Sequence, residues 1–202
     1  MTSKNAKVQQ GEATVTQLMD IAQTMFSELG YTNVAMEAIV KQANVTRGAL
    51  YHHFNGKKGL FEAVVHRILD RNSDAILATG VYEADQWQQL LLGCESSLRS
   101  GIDPAIRRIL LIDAPAVLGH KKLRQMDANT TTALLINHLT ILMDNGYIEQ
   151  QPVQALAYMI SGAINEAIQW ISASDNPEDM LEDYLSVLEN ILNGLRIPRS
   201  TE

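Results

Sequence analysis

Met36-Glu37-Ala38-Ile39-Val40-Lys41-Gln42-Ala43-Asn44-Val45-Thr46-Arg47-Gly48-Ala49-Leu50-Tyr51-His52-His53-Phe54 decides how this chain is read. Met36, Ile39, Val40 and Ala43 recur at three- and four-residue steps, which is one apolar helical face. Asn44 follows, a residue that tolerates the left-handed backbone of a tight turn. Thr46 is placed to cap a second helix running to Phe54. Two short helices joined by a tight turn are a helix-turn-helix, whose second helix enters the DNA major groove when it binds DNA. Such a helix must bury one face on its own domain and present small and polar groups on the other. Leu50 and Phe54 are expected inside; Thr46, Arg47, Gly48, Ala49, Tyr51, His52 and His53 form the outer face.

Each outer residue has a chemical role to offer. The planar fork of Arg47 matches the O6 and N7 acceptors of guanine. Gly48 and Ala49 let the helix approach closely, and the Ala49 methyl suits a thymine methyl. The Tyr51 hydroxyl can donate to a phosphate. Lys57 opens the next helix, where its charge and free backbone N–H groups meet a phosphate. His52 and His53, adjacent on a helix and about 100° apart, are poorly placed to chelate one metal ion. One outward and one packed histidine is the expectation.

Outward from this motif the chain reads as all helical. Val15, Leu18, Met19, Ala22, Met25, Phe26 and Leu29 mark a first helix stopped by Gly30. Asn55-Gly56 ends the motif, and a helix is expected over about 57–78. Residues 80–85 read as a joint. Helices then follow at 87–99, from Asp103-Pro104 to an interruption near Pro115, over about 121–144, from Pro152, and from Asn176-Pro177. Residues 1–12 and 198–202 are expected to fray. No alternating strand pattern and no internal repeat is present.

The 202 residues carry 16 Lys/Arg and 23 Asp/Glu, a formal charge of −7. Eight basic and six acidic residues within 1–71 leave that region at +2, and the remainder at −9. An acidic chain does not bind DNA indiscriminately, but a first third of opposite sign suits a local polyanion site. The lone Cys94 excludes an intramolecular disulfide and is read as a small core residue. No apolar run is long enough to cross a membrane, and the polar first fifteen residues offer no signal peptide, so a cytoplasmic protein is expected. His66, His120 and His138 are scattered. No metal or cofactor site is expected.

The full string Phe26-x-x-x-Gly30-Tyr31, Ile39, Ala43 through Phe54, then Lys57-x-x-Leu60-Phe61, resembles the TetR family of transcriptional regulators over about residues 15–65. The stretch from Arg107 to Gly119, containing Asp113-Ala-Pro-Ala-Val-Leu-Gly119, looks like a segment of one TetR subgroup. The resemblance implies an all-α fold. A helix-turn-helix DNA-binding domain over 1–56 (motif about 35–54) would be joined by a connecting helix, 57–79, to an effector-binding and dimerisation domain, 80–202. It further implies a homodimer that represses from a near-palindromic duplex operator and is released by a small-molecule effector. By position, Arg47, Gly48, Ala49 and His52 would approach bases, while Tyr51 and Lys57 would hold phosphates. The chain departs from the pattern where Val34-Ala35-Met36 offers no hydroxyl cap, where Val40 and Asn44 replace a small residue and a glycine, and at Gln17, which replaces an arginine.

The polar or aromatic candidates for an effector site are Trp87, Arg107 and Asp113, each with a structural alternative in a core or a salt bridge. Apolar stripes on the last two helices, including Ile164, Ile168, Leu181, Leu188 and Ile191, are assigned to a two-fold dimer interface, the alternative being one monomer's core. Two other function classes compete. An all-helical enzyme would need a catalytic cluster, and no Ser/His/Asp spacing, phosphate loop or paired-acid motif stands out. A helix-turn-helix scaffold acting through protein partners would bind no effector.

Overall fold

The computed structural model describes residues 2–79 and 85–198, with side chains from Gly11 onward. Eleven α-helices and one π-helical turn account for the described regular structure. They are α1 (Thr2–Leu29), α2 (Met36–Gln42), α3 (Arg47–Phe54), α4 (Lys57–Thr79), α5 (Gln86–Ile102), α6 (Pro104–Arg107), the π-helical turn Arg108–Asp113, α7 (Ala114–Leu118), α8 (His120–Ala128), α9 (Thr131–Asp144), α10 (Val153–Ile171) and α11 (Pro177–Asn193). The one β-like feature among the described residues is an isolated bridge between Ile148 and Arg196.

Several boundaries differ from expectation. Helix α1 already runs from Thr2, where fraying was expected; residues 199–202, the other expected frayed end, lie outside the described residues, as do 80–84 of the expected joint. The segment expected as one helix over 121–144 is two helices. Thr130 ends the first by bonding back to the Met126 and Asp127 carbonyls. The interruption expected near Pro115 is a widening instead. Proline removes one backbone donor, and the preceding turn takes up π geometry before α7 continues.

The chain forms two compact units. The first comprises residues 1–68 and 108–123, the second 69–107 and 124–202. The expected boundaries at 56 and 79 therefore do not coincide with the compact units. The first unit takes in the opening turns of α4 and, from a distant part of the sequence, the π-helical turn and α7. Ten Lys/Arg and six Asp/Glu give the first unit a formal +4 and leave the second at −11.

The first unit closes around Leu18, Ala22 and Phe26 of α1, Ile39 of α2, Leu50 of α3 and Leu60, Phe61 and Val64 of α4, all fully buried. Phe26 and Phe61 meet edge to face with ring centroids 5.1 Å apart, and Tyr31 joins them at 4.9 Å from Phe61. Burying each phenylalanine contributes about 1.5–3 kcal/mol. Gly59 lets α4 start against the end of α3: a Cβ there would lie 1.7 Å from the Phe54 carbonyl oxygen.

In the second unit, Trp87, Leu90, Cys94 and Leu98 of α5 form one buried face at helical spacing. They share a core with Leu139 and Leu142 of α9, Leu156, Ile160, Ile164, Ile168 and Ile171 of α10, and Leu181, Leu188 and Leu192 of α11. Burial pushes the Cys94 thiol up to about 12, which suits an inert core residue.

Candidate nucleic-acid interface

The turn between α2 and α3 is built as its residues dictate. Asn44 adopts φ 52°, in the left-handed region, and the Val45 N–H donates to the Val40 carbonyl. The Thr46 hydroxyl accepts the Ala49 N–H at 3.2 Å, so Thr46 is the N-cap of α3. Asn55 ends α3 at φ 57°. Helix α2 has no such cap. Ala35 occupies its N-cap position without a side-chain bond, and Asn33 donates to the Leu29 carbonyl instead.

Leu50 is fully buried and Phe54 half-buried, which fixes the rotation of α3 on its unit. Thr46, Arg47, Gly48, Tyr51, His52 and His53 are exposed on the other side, and Ala49 is half-buried. The expectation that one histidine packs inward is corrected: both rings are exposed and lie edge to face, centroids 5.0 Å apart. Among the described residues no group of three His, Cys, Asp or Glu side chains is arranged to hold a metal ion.

Arg47 is held from two sides. Its Nη1 donates to Glu37 Oε1 at 3.2 Å, and its guanidinium carbon lies 5.6 Å from the centre of the Tyr51 ring. Tyr51 first, then Glu37, raises the Arg47 pKa above its ordinary value. Lys57, the first residue of α4, lies 4.3 Å from the centre of the Tyr31 ring, and its Nζ donates to the Thr32 carbonyl at 3.4 Å. Burial lowers its pKa, against the opposing pull of Asp113.

The π-helical segment contributes to this unit. Asp113 stands at the N-cap position of α7 but does not cap it; its Oδ2 accepts the Tyr31 N–H at 2.8 Å. Arg108 donates to the Glu28 carbonyl at 3.5 Å, placing a cation at the C-terminal end of α1. Gly30 at φ 78° leaves room for that guanidinium, since a Cβ would lie 2.6 Å from Arg108 Nη2. Lys122 pairs with Glu62 at 2.6 Å.

Of the three effector-site candidates, Asp113 thus lies in the first unit, bonded to the turn after α1. Trp87 is a core residue: its Nε1 donates to Asn193 Oδ1 at 3.0 Å, and Arg196 lies over its ring. Arg107 differs from both, because its Nε is buried without a hydrogen-bond partner. The residues expected at a dimer interface also divide by burial within the chain. Ile164, Ile168, Leu181 and Leu188 are buried in the chain's own core, and Ile191 alone of the five is exposed. The large apolar groups these two helices do expose are Tyr158, Met159, Trp170, Val187 and Ile191. Periodicity identified the apolar stripes but not which side of each helix the second unit would cover.

Glu37 was missed by the sequence reading. The available signal was an acid opening α2 and a base opening α3, ten residues apart, which has no meaning until the turn folds one helix onto the other.

A helix-turn-helix with a buried anchor and an exposed polar second helix defines a DNA-binding regulator. Two family models match the chain: "Bacterial regulatory proteins, tetR family" over residues 18–64 and "Tetracyclin repressor-like, C-terminal domain" over 87–195. A solved TetR-family transcriptional regulator from Pectobacterium atrosepticum is 34% identical, with a TM-score of 0.77 over 94% of this chain and 98% of that one. The transposon Tn10 TetC protein of Escherichia coli is 26% identical over 80% of this chain and 82% of its own length. IcaR, the negative transcriptional regulator of the biofilm operon in Staphylococcus aureus, is 35% identical over 30% of this chain and 32% of its own. The chain belongs to the TetR family of transcriptional regulators, which are DNA-binding transcription factors and not enzymes.

Proposed function

We propose that this regulator represses transcription in the cytoplasm, as a homodimer bound to a near-palindromic duplex operator, and that a small-molecule effector in the second unit releases it. The observation that carries the reading is the division of α3: Leu50 fully buried, with Arg47, Gly48, Tyr51 and His52 exposed. Arg47, Gly48, Ala49 and His52 face the bases, and Tyr51 and Lys57 hold phosphates. Thr46 sets the start of α3 through its cap and stands beside the backbone. A first unit of +4 on a chain of −7 confines attraction for the polyanion to that unit.

Repression draws support from IcaR, a negative transcriptional regulator 35% identical to this chain over 60 residues. The exposed Met159 and Trp170 of α10 and Val187 and Ile191 of α11 are the surface assigned to the partner copy, since exposed large apolar groups on packed neighbouring helices suit an interaction site. No described helix is long and apolar enough to cross a membrane. Arg107, with its unpaired Nε, is the effector-site candidate retained. An effector acts by binding the released state better than the DNA-bound state.

The test is selection from random duplex DNA by the purified chain, with Arg47→Ala alongside. Enrichment of a two-fold symmetric motif, with preference at one base pair per half-site lost in the variant, supports the reading. Absence of any enriched motif at low and moderate salt overturns it.

A further inference from the structure

We infer that Glu37 is a positioning residue for base readout, holding Arg47 so that it reads a base and does not drift to the phosphates; this rests on the reading of Arg47 as a base contact. Glu37 is the second residue of α2, between Met36 and Ile39, whose burial turns the helix core-side and leaves the Glu37 carboxylate exposed. Arg47 is the first residue of α3. The two side chains meet across the turn at 3.2 Å, and both are well exposed, at 61% for Arg47 and 67% for Glu37.

A bare carboxylate beside a groove-entering helix repels the phosphate backbone. Paired with Arg47 it is neutralised, and the pair has a second consequence. An arginine at the exposed start of a helix samples many rotamers, most of which direct its charge to the nearest phosphate. Here the carboxylate on one side and the Tyr51 ring on the other restrict the guanidinium before DNA arrives. Glu37 takes one edge of the fork, leaving other N–H groups for a base edge. Non-specific affinity is lowered by this arrangement while discrimination is raised, because only base contacts carry sequence information.

The test uses the full chain and the duplex it selects, together with every single-base-pair variant of one half-site. Wild type, Glu37→Gln, Glu37→Ala, Arg47→Ala and the Glu37→Ala/Arg47→Ala pair are titrated by fluorescence anisotropy at several salt concentrations. Glu37→Gln keeps the shape and removes the charge, and circular dichroism verifies folding of each variant. The expected result is a fall of roughly 10-fold in discrimination at the same base pair that Arg47→Ala affects, and at no other. Binding to unrelated duplexes strengthens, and its log–log salt slope steepens by about one phosphate contact. In the Arg47→Ala background, removing Glu37 leaves discrimination unchanged. If both Glu37 variants tighten binding to all duplexes by one common factor, with discrimination intact, Glu37 merely repels phosphate and the inference is overturned. A wild-type chain that enriches no motif overturns the operator reading and this inference together, which separates the two failures.

Discussion

Asp113 and Tyr31 are 82 residues apart in sequence, yet the Asp113 carboxylate accepts the Tyr31 backbone N–H at 2.8 Å. Tyr31 stacks against Phe26, meets Phe61 edge-on and carries Lys57 over its ring. One carboxylate therefore steadies the turn on which the aromatic core and the first residue of α4 both depend. Replacing Asp113 with Ala strands a partly buried donor, at a cost of about 1–3 kcal/mol. Asp113→Asn retains an acceptor oxygen and is expected to lose less. Chemical denaturation of the three proteins checks this; an Ala variant as stable as wild type would remove the structural role of the bond.

Lys57 differs from Arg47 in what its loss does. Its charge sits at the start of α4, beside backbone N–H groups suited to a phosphate. Lys57→Ala is expected to weaken binding to every duplex by a similar factor and to flatten the salt slope by about one. Anisotropy titrations on the selected duplex and its base-pair variants read both effects. A loss confined to one sequence would contradict the phosphate role.

The exposed faces of α10 and α11 separate assembly from folding. Val187→Glu and Ile191→Glu place charges on exposed positions and are expected to yield folded monomers by sedimentation. Leu188→Glu, between them but buried, is expected to unfold the chain, because an unpaired charge in a core costs several kcal/mol. Dimers of unchanged stability in the first two variants would move the interface elsewhere.

Asp127 sets a pH dependence of stability. Burial raises its pKa above the ordinary carboxylate value, and the hydrogen bond from Thr132 opposes the rise. A raised folded-state pKa means that the native state holds the proton more tightly than the unfolded one. This contribution to stability is therefore present at low pH and is lost as pH rises from the unfolded value through the folded one. Asp127→Asn, which keeps an acceptor for the Thr132 hydroxyl, is expected to raise the melting temperature at neutral pH and to flatten its variation through the mildly acidic range. Thermal melts of both proteins from pH 4 to 7 check the sign. Greater wild-type stability at neutral pH would reverse it.

What the amino-acid sequence determined by itself is local. Residues 36–54 specify two helices and a left-handed turn through apolar spacing, Asn44 and Thr46, all of which act within a few residues of one another. The same local signals place Lys57 at the start of α4 and separate polar from apolar residues on α3. Only the tertiary structure decided which polar groups meet. Asp113 and Arg108 belong with the first unit because the chain returns to it after α6, and Glu37 reaches Arg47 because the turn folds α2 onto α3. It also decided that Ile164, Ile168, Leu181 and Leu188 face inward while Met159, Trp170 and Val187 remain outside. Helical periodicity defines a stripe but not the element that covers it, and a charged residue's partner is set by through-space distance, which sequence separation does not encode.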